Sequence, residues 1–307
     1  MKKVSIIIIT YNRPERLKIA INSALEQTYN DCEIIVVDDN SDFDISEILR
    51  IYNEKITLIK NKENLGPSGS RNVGIKKSNG EYITFLDDDD IFHPKKIEKQ
   101  INLFNKNENI GLVYCPVADI YNNKLFYKPL INKKNKWVRL IHQNYIGITP
   151  LIKIECLSNC GFFDTTLKYH EDRDLWYRIG KKYSFGFTND SYYICYNLIK
   201  DRLSVQIENI CNYKKLLYQK YKDDFENKDI YYSDLYKEIA FTYLFFGYYK
   251  RFFEHIKKSI DKKQEISSII KDLYIKWLFE LIFNHTNIIY KKEKIEKDIK
   301  ALLKIKS

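Results

Sequence analysis

Tyr82-Ile83-Thr84-Phe85-Leu86-Asp87-Asp88-Asp89-Asp90 passes from an apolar run to four carboxylates with no transitional residue. Tyr82–Leu86 reads as a β-strand, which puts the four acids at its carboxyl end. Like charges this close repel, and that cost needs a reason. Two readings are open. A hard divalent cation, Mg²⁺ or Mn²⁺, would remove the repulsion, because it prefers one or two carboxylates with phosphate oxygens and water. A solvated turn, or acids capping a helix near Pro94, is the plainer account. The abruptness of the switch at a strand end favours the cation.

Upstream, the chain alternates strand and helix signals. Val4–Ile9 is a continuous β-branched run, as in a strand covered on both faces. Pro14 suits a first helical turn, and Leu17, Ile21, Ala24 and Leu25 follow at helical spacing. Glu33–Val37 is a second strand, ending in Asp38-Asp39-Asn40-Ser41. A helix with Ile45, Ile48 and Leu49 on one face comes next, then a short strand over Ile56–Ile59. The loop Asn64-Leu65-Gly66-Pro67-Ser68-Gly69 leads into a helix through Arg71 to Lys77. Such alternation with short connections predicts an α/β fold, a mostly parallel Rossmann-like sheet with helices on both faces. Ligands of such sheets sit outside the carboxyl ends of the strands, where this chain places its polar clusters.

Further on, Gly111–Val117 predicts a strand, Trp137–His142 a short helix and Asp172–Lys182 a stronger one. Ser184–Phe187 and Tyr192–Tyr196 predict short strands. From about 206 glycine is nearly absent and proline entirely so, which predicts a helical appendage over 206–307. Ala240–Tyr249 loosely resembles one helix-turn-helix repeat, with no second copy in register. The expected domains are 1–205, with a nucleotide-binding half over 1–100 and an acceptor half over 101–205, and then 206–307.

A chain of 307 residues with 44% hydrophobic and 30% charged residues has the composition of a globular protein able to bury a sizeable core. The 51 basic against 41 acidic residues leave +10, which we read as a property of solubility and weak association, with no nucleic-acid partner implied. The apolar run at the start is too short for a signal peptide and is followed by Thr10-Tyr11-Asn12-Arg13-Pro14. No stretch reaches the ~18 apolar residues of a spanning helix. The expected location is therefore cytoplasmic, with 206–307 open to contact with the inner membrane face or with a second copy. Cys32, Cys115, Cys156, Cys160, Cys195 and Cys211 suit reduced, packed thiols.

Three more clusters carry chemistry, each with a plain alternative. Asp38-Asp39-Asn40-Ser41 offers carboxylates to a base or ribose, or else a turn with a helix N-cap. Asn64–Asn72 offers a helix N-terminus to a diphosphate, with Arg71 as a fixed bidentate charge, or is a simple loop-to-helix junction. In Tyr169-His170-Glu171-Asp172-Arg173-Asp174-Leu175-Trp176, the acids Glu171 and Asp172 either stabilise a first helical turn or supply a general base. Asp174 and Arg178 stand at i,i+4 and are expected to pair on the exposed side.

The order of these clusters, with Gly161-Phe162-Phe163-Asp164 between them, resembles glycosyltransferase family 2 over about residues 3–205. The resemblance implies the GT-A fold and an inverting transfer from a nucleotide sugar. It places Thr10, Tyr11 and Asn12 beside the base and ribose, Asp39 on the uracil ring with Asp38 adjacent, and Arg71 near the diphosphate. In the family's Asp-x-Asp motif, Asp87 and Asp89 take the two metal positions, and Asp88 takes the middle one facing ribose or sugar. Asp172 falls on the catalytic base, with Glu171 beside it to hold the acceptor. The implied cofactor is Mn²⁺ or Mg²⁺, the donor a UDP-sugar, and the acceptor a glycan or lipid-linked glycan of a bacterial surface polysaccharide. Where many relatives offer a late histidine, this chain reads Tyr196–Ser204, leaving Lys200 or Arg202 as phosphate contacts or as exposed bases. The Gln-x-x-Arg-Trp motif and membrane spans of processive relatives are missing, so single additions are expected. A nucleotidyltransferase would place a Gly-rich basic loop after the first strand, where Thr10-Tyr11-Asn12 stands. A non-catalytic binding module would not need intact Asp87, Asp89 and Asp172.

Overall fold

The computed structural model describes residues 3–121, 124–127, 140, 146–190, 192–196, 207–225, 228–245 and 248–261. Its first elements are β1 (Val4–Thr10), α1 (Pro14–Leu25), β2 (Cys32–Asp38), α2 (Ser46–Leu49), β3 (Thr57–Lys60), α3 (Gly66–Lys77) and β4 (Tyr82–Asp87). There follow β5 (Asp90–Phe92), α4 (Lys96–Phe104), β6 (Ile110–Tyr114), β7 (Val117–Tyr121), β8 (Lys124–Tyr127) and β9 (Leu151–Lys153). Then come α5 (Ile154–Cys160), α6 (Glu171–Gly180), β10 (Ser184–Phe187) and β11 (Tyr193–Tyr196), and finally α7 (Ile207–Tyr221), α8 (Lys228–Phe245) and α9 (Tyr249–Asp261). These elements form two compact units, one running to β11 and one made of α7–α9.

The larger unit holds a seven-stranded sheet of order β10-β6-β9-β4-β1-β2-β3. β1 is parallel to both its neighbours, with Thr10 opposite Asp38 and Ile9 opposite Asp87. The three strands therefore end level, and their polar terminal residues are neighbours. The chain leaves β1 toward β2 and β3 and returns on the other side at β4, so strand order reverses between β1 and β4. A crevice opens at such a reversal. Ile6, Ile7 and Ile8 are fully buried because helices cover both faces of β1. Each such side chain contributes about 1.5–3 kcal/mol of burial. On one face Ile6 and Ile8 share a core cluster with Leu17, Ala20, Ile21 and Ala24 of α1. On the other, α3 comes close enough that a Cβ at Gly74 would lie 2.5 Å from Ile7 Cγ2.

Several boundaries differ from the sequence expectation. α3 begins at Gly66, inside the predicted loop. The Gly111–Val117 run divides at Cys115-Pro116 into β6 and β7, which belong to different sheets. Pro116 has no N–H for a ladder, so the run cannot continue there. Asp90, expected in a loop, opens β5 of a four-stranded sheet ordered β5-β11-β7-β8. The helix around Ile45–Leu49 is a single turn followed by a 3₁₀ segment, Arg50–Lys55. Leu25 is exposed at the end of α1. Apart from Leu140, the helix expected over 137–142 lies outside the described residues, as do Lys200 and Arg202.

In the second unit, α7 and α8 meet through Tyr218 and Tyr231, whose rings stack 4.6 Å apart, with the Tyr231 hydroxyl donating to the Tyr218 carbonyl. α8 and α9 are joined by the buried pair Ser233 and Ser259. Among the described residues no helix is long and apolar enough to cross a membrane.

Candidate active site

Two hydrogen-bonded networks meet on the turn that follows β4. The first starts from β1. Thr10 Oγ1 donates to Asp88 Oδ2 at 2.8 Å, which ties the end of β1 to the middle of the acidic run. Arg13, just before α1, donates through Nη1 to Asp88 Oδ1 at 3.3 Å and Asp89 Oδ2 at 3.0 Å. Arg16 Nη1 stands 3.9 Å from the same Asp89 oxygen. Burial pushes the Asp88 carboxyl up to about 6, against the pull of the Thr10 hydroxyl and the Arg13 charge.

The second network crosses from α3 to α6. Arg71 Nη2 donates to Asp87 Oδ1 at 2.8 Å, and Nη1 donates to Glu171 Oε1 at 2.9 Å. The guanidinium lies 5.5 Å from the centre of the Phe163 ring and is only 5% exposed. Burial alone would lower its pKa, but the two carboxylates drive it well above the ordinary arginine value. Burial and neighbouring Asp172 push the Glu171 carboxyl up, against the Arg71 charge. The Asp87 amide also donates to the Tyr193 hydroxyl at 3.4 Å.

α6 presents Glu171 and Asp172 as its first two residues, and both are half-buried. The chain enters it through His170 in the left-handed region, φ +64°, an uncommon conformation for a residue with a side chain. Asp174 is fully buried, which corrects the expectation of an exposed pair with Arg178. Its Oδ2 accepts from Arg178 Nη2 at 2.7 Å, and Arg178 in turn donates to the carbonyls of Cys160, Gly161 and Phe162. This arrangement locks the end of α5 onto α6, next to the Phe163 ring that supports Arg71.

At the other side of the crevice, Asn12 has φ +56° and pairs side chain to backbone and side chain with Asp42, at 2.9 and 2.7 Å. Its amide donates to Ser41 Oγ at 3.0 Å, so the loops after β1 and β2 are tied together. Tyr11 between them is exposed. Asp39 accepts from Asn61 Nδ2, Leu65 N and Gly66 N at 2.9, 2.8 and 2.9 Å, and so caps the start of α3. Asp38 is fully buried; Oδ1 accepts from Ser41 N, Lys60 Nζ stands 3.9 Å from Oδ2, and Oδ2 has no hydrogen-bond partner among the described residues.

The structure thus brings Thr10, Arg71, Asp87, Asp88, Asp89 and Glu171 into two joined networks, with Asp172 at their edge. Asp38, the last residue of β2, and Asp39 just past it lie level with them, Asp38 bonded to its own loop and Asp39 to the start of α3. Two residues take a place that the sequence had not given them individually. Asp90, one of the four acids of the run but outside the two metal positions of the Asp-x-Asp motif, joins Asp87 and Asp89 in a group whose carboxylate oxygens lie within 4.8 Å of one another. Three hard oxygen donors at this spacing fit Mg²⁺ or Mn²⁺. Arg13 is the other, and its only sequence signal was a basic residue between the end of β1 and Pro14.

A family model described as glycosyl transferase family 2 matches residues 5–168, which include every element of this site except α6 and β11. The chain belongs to glycosyl transferase family 2. An uncharacterised glycosyltransferase of Rickettsia typhi is 38% identical over 61% of this chain and 61% of its own length. One of Methanocaldococcus jannaschii is 32% identical over 86% of this chain and 96% of its own length. The Escherichia coli UDP-Glc:alpha-D-GlcNAc-diphosphoundecaprenol beta-1,3-glucosyltransferase is 33% identical over 66% of this chain and 79% of its own length. The chain spans about three fifths of the Rickettsia relative it matches. Among solved structures, Staphylococcus aureus TarS in complex with UDP-GlcNAc superposes with a TM-score of 0.67 at 18% identity, over 85% of this chain and 81% of that one. The fold of this family 2 glycosyltransferase chain is GT-A.

Proposed function

We propose that the chain is an inverting transferase moving a single hexose or N-acetylhexosamine from a UDP-sugar to a hydroxyl of a glycan, lipid-linked in the first instance. The observation that carries this reading is Arg71, whose buried guanidinium joins Asp87 on the donor side to Glu171 on the acceptor side. The names of the Escherichia coli relative, which acts on a diphosphoundecaprenol-linked sugar, and of TarS with UDP-GlcNAc support the choice of donor and acceptor.

Asp87 and Asp89, with Asp90, would hold the Mn²⁺ or Mg²⁺, which when bound neutralises charge on the departing diphosphate. Thr10, Tyr11, Asn12, Asp38 and Asp39 form the nucleoside side of the crevice. Arg71 adds a fixed positive charge where the diphosphate oxygens lie, and Asp88 faces the ribose or sugar. The acceptor oxygen attacks the anomeric carbon as the bond to the diphosphate oxygen breaks, which inverts the centre. Asp172 takes the acceptor proton, while Glu171 fixes the acceptor. No covalent sugar–protein intermediate is needed.

Residues 1–205 are assigned as the catalytic domain, with its nucleotide half over 1–100, and 206–307 as an appendage resting on the cytoplasmic membrane face or pairing two copies. Exposed Lys250, Arg251, Lys257 and Lys258 on α9 support a contact with anionic lipid. The test of the activity is turnover on a panel of UDP-sugars with Mn²⁺ and again with excess chelator. Asp172→Asn is expected to keep UDP affinity and lower the transfer rate by about 10²–10⁴. Equal transfer by that variant refutes the base, and turnover indifferent to chelator refutes the cation.

A further inference from the structure

The acidic run carries its own counter-ions, and they are held in two different ways. Arg71 is buried between Asp87 and Glu171 and backed by Phe163, so it cannot leave without stranding two carboxylates. Arg13 is on the other side of the run, where its side chain is 32% exposed and reaches Asp88 and Asp89 from the loop before α1. Arg16, 25% exposed on the first turn of α1, approaches Asp89 behind it. The Asp89 oxygen that Arg13 occupies belongs to a residue of the candidate cation group. A guanidinium and a divalent cation repel each other and compete for one carboxylate. The repulsion is relieved when a diphosphate arrives, because it supplies oxygens to which an arginine can transfer.

We propose that Arg13 is a displaceable internal counter-ion that makes cation binding depend on the nucleotide diphosphate. This rests on the transferase reading above and adds a regulation of the same site. Without nucleotide, Arg13 holds Asp88 and Asp89 neutralised and the cation binds weakly. With a nucleoside diphosphate bound, Arg13 turns to the phosphates and frees Asp89. The coupling is reciprocal, so the cation tightens nucleotide binding by the same factor. Arg13 acts through Asp89, as a positioning residue.

The test is Mn²⁺ binding, read from the electron paramagnetic resonance signal of free Mn²⁺, in the whole chain with and without UDP. Arg13→Gln is expected to bind Mn²⁺ alone about fivefold more tightly than the unaltered protein, as for loss of one partly exposed ion pair. The tightening produced by UDP should shrink by the same factor. Arg13→Lys keeps the charge and is expected to retain weak binding. Unchanged or weaker binding by Arg13→Gln overturns the proposal, as does Arg13→Lys binding as tightly as Arg13→Gln. If UDP tightens Mn²⁺ equally in the unaltered protein and Arg13→Gln, the inference falls while the transferase reading stands. If Mn²⁺ binds none of the three proteins even with UDP, both fall.

Discussion

Arg71 and Lys96 are both buried against β4, 5% and 0% exposed, yet their surroundings are opposite in kind. Arg71 reaches Asp87 and Lys96 reaches Thr84, and strand alternation puts these residues on opposite faces of the pleat. Arg71 sits between two carboxylates. Lys96 donates to Thr84 Oγ1 and Gln100 Oε1, both at 2.9 Å, and lies 4.2 Å from the centre of the Phe92 ring, with no ion pair to a carboxylate among the described residues. The pKa values follow. Asp87 and Glu171 raise that of Arg71, whereas burial lowers that of Lys96 to about 8. Burial alone therefore does not mark a functional cation. What separates the two is the pair of carboxylates gathered round Arg71 on the α3 face, where Lys96 meets only neutral oxygens and a ring.

The largest effect that would break this contrast comes from Arg71→Met. It leaves Asp87 and Glu171 without their shared cation and, since Asp87 is 33% exposed, is expected to cost about 1–3 kcal/mol of stability. Transfer should fall by about 10²–10³, as for loss of one preorganised donor to developing charge. Denaturant unfolding and steady-state rates check the two separately, and a normal rate would reduce Arg71 to a structural role.

Lys96→Met should leave transfer nearly unchanged and alter the pH dependence of folding instead. Unfolded Lys96 stays protonated up to the ordinary 10.5, whereas the folded one loses its proton near 8. Between those values the unfolded chain binds more protons, so stability rises with pH there. The contribution reaches at most about 3 kcal/mol. Unfolding curves at pH 7.5 and 10 should show that rise in the unaltered protein relative to Lys96→Met. Parallel curves would mean that Lys96 is charged in the core across the whole range.

Of these two cations, sequence reading found one. Arg71 was legible because it follows small residues at a helix start, beside strand ends rich in acid. Lys96 is silent in the sequence, since nothing in Pro94-Lys95-Lys96-Ile97 separates a buried lysine from its exposed neighbour Lys95. The strands were legible wherever a run was apolar on both faces, as in β1, β2 and β4. What escaped depends on contacts distant in the chain. The early start of α3 follows from Asp39 capping the amides of Leu65 and Gly66, a bond spanning more than twenty residues. Asp174 was misplaced because i,i+4 spacing says that two residues can pair, and does not say which side of the helix faces the core. Arg13 escaped because its partners stand some seventy-five residues away.

A smaller perturbation sharpens the contrast by moving one face only. Gly74→Ala puts a methyl 2.5 Å from Ile7 Cγ2, and α3 must shift outward from β1 to accept it. Overpacking of this kind costs about 1–3 kcal/mol, and the better helix propensity of alanine returns up to about 1 kcal/mol. The shift carries Arg71 away from Asp87, because both Gly74 and Arg71 lie on α3. Lys96 is on the other face and is expected to keep its pH signature intact. Transfer should then drop while the rise in stability between pH 7.5 and 10 persists. If the rate is unaffected although stability falls, the carboxylates rather than the packing of α3 hold Arg71 in place, and the network belongs to the turn after β4 more than to the helix.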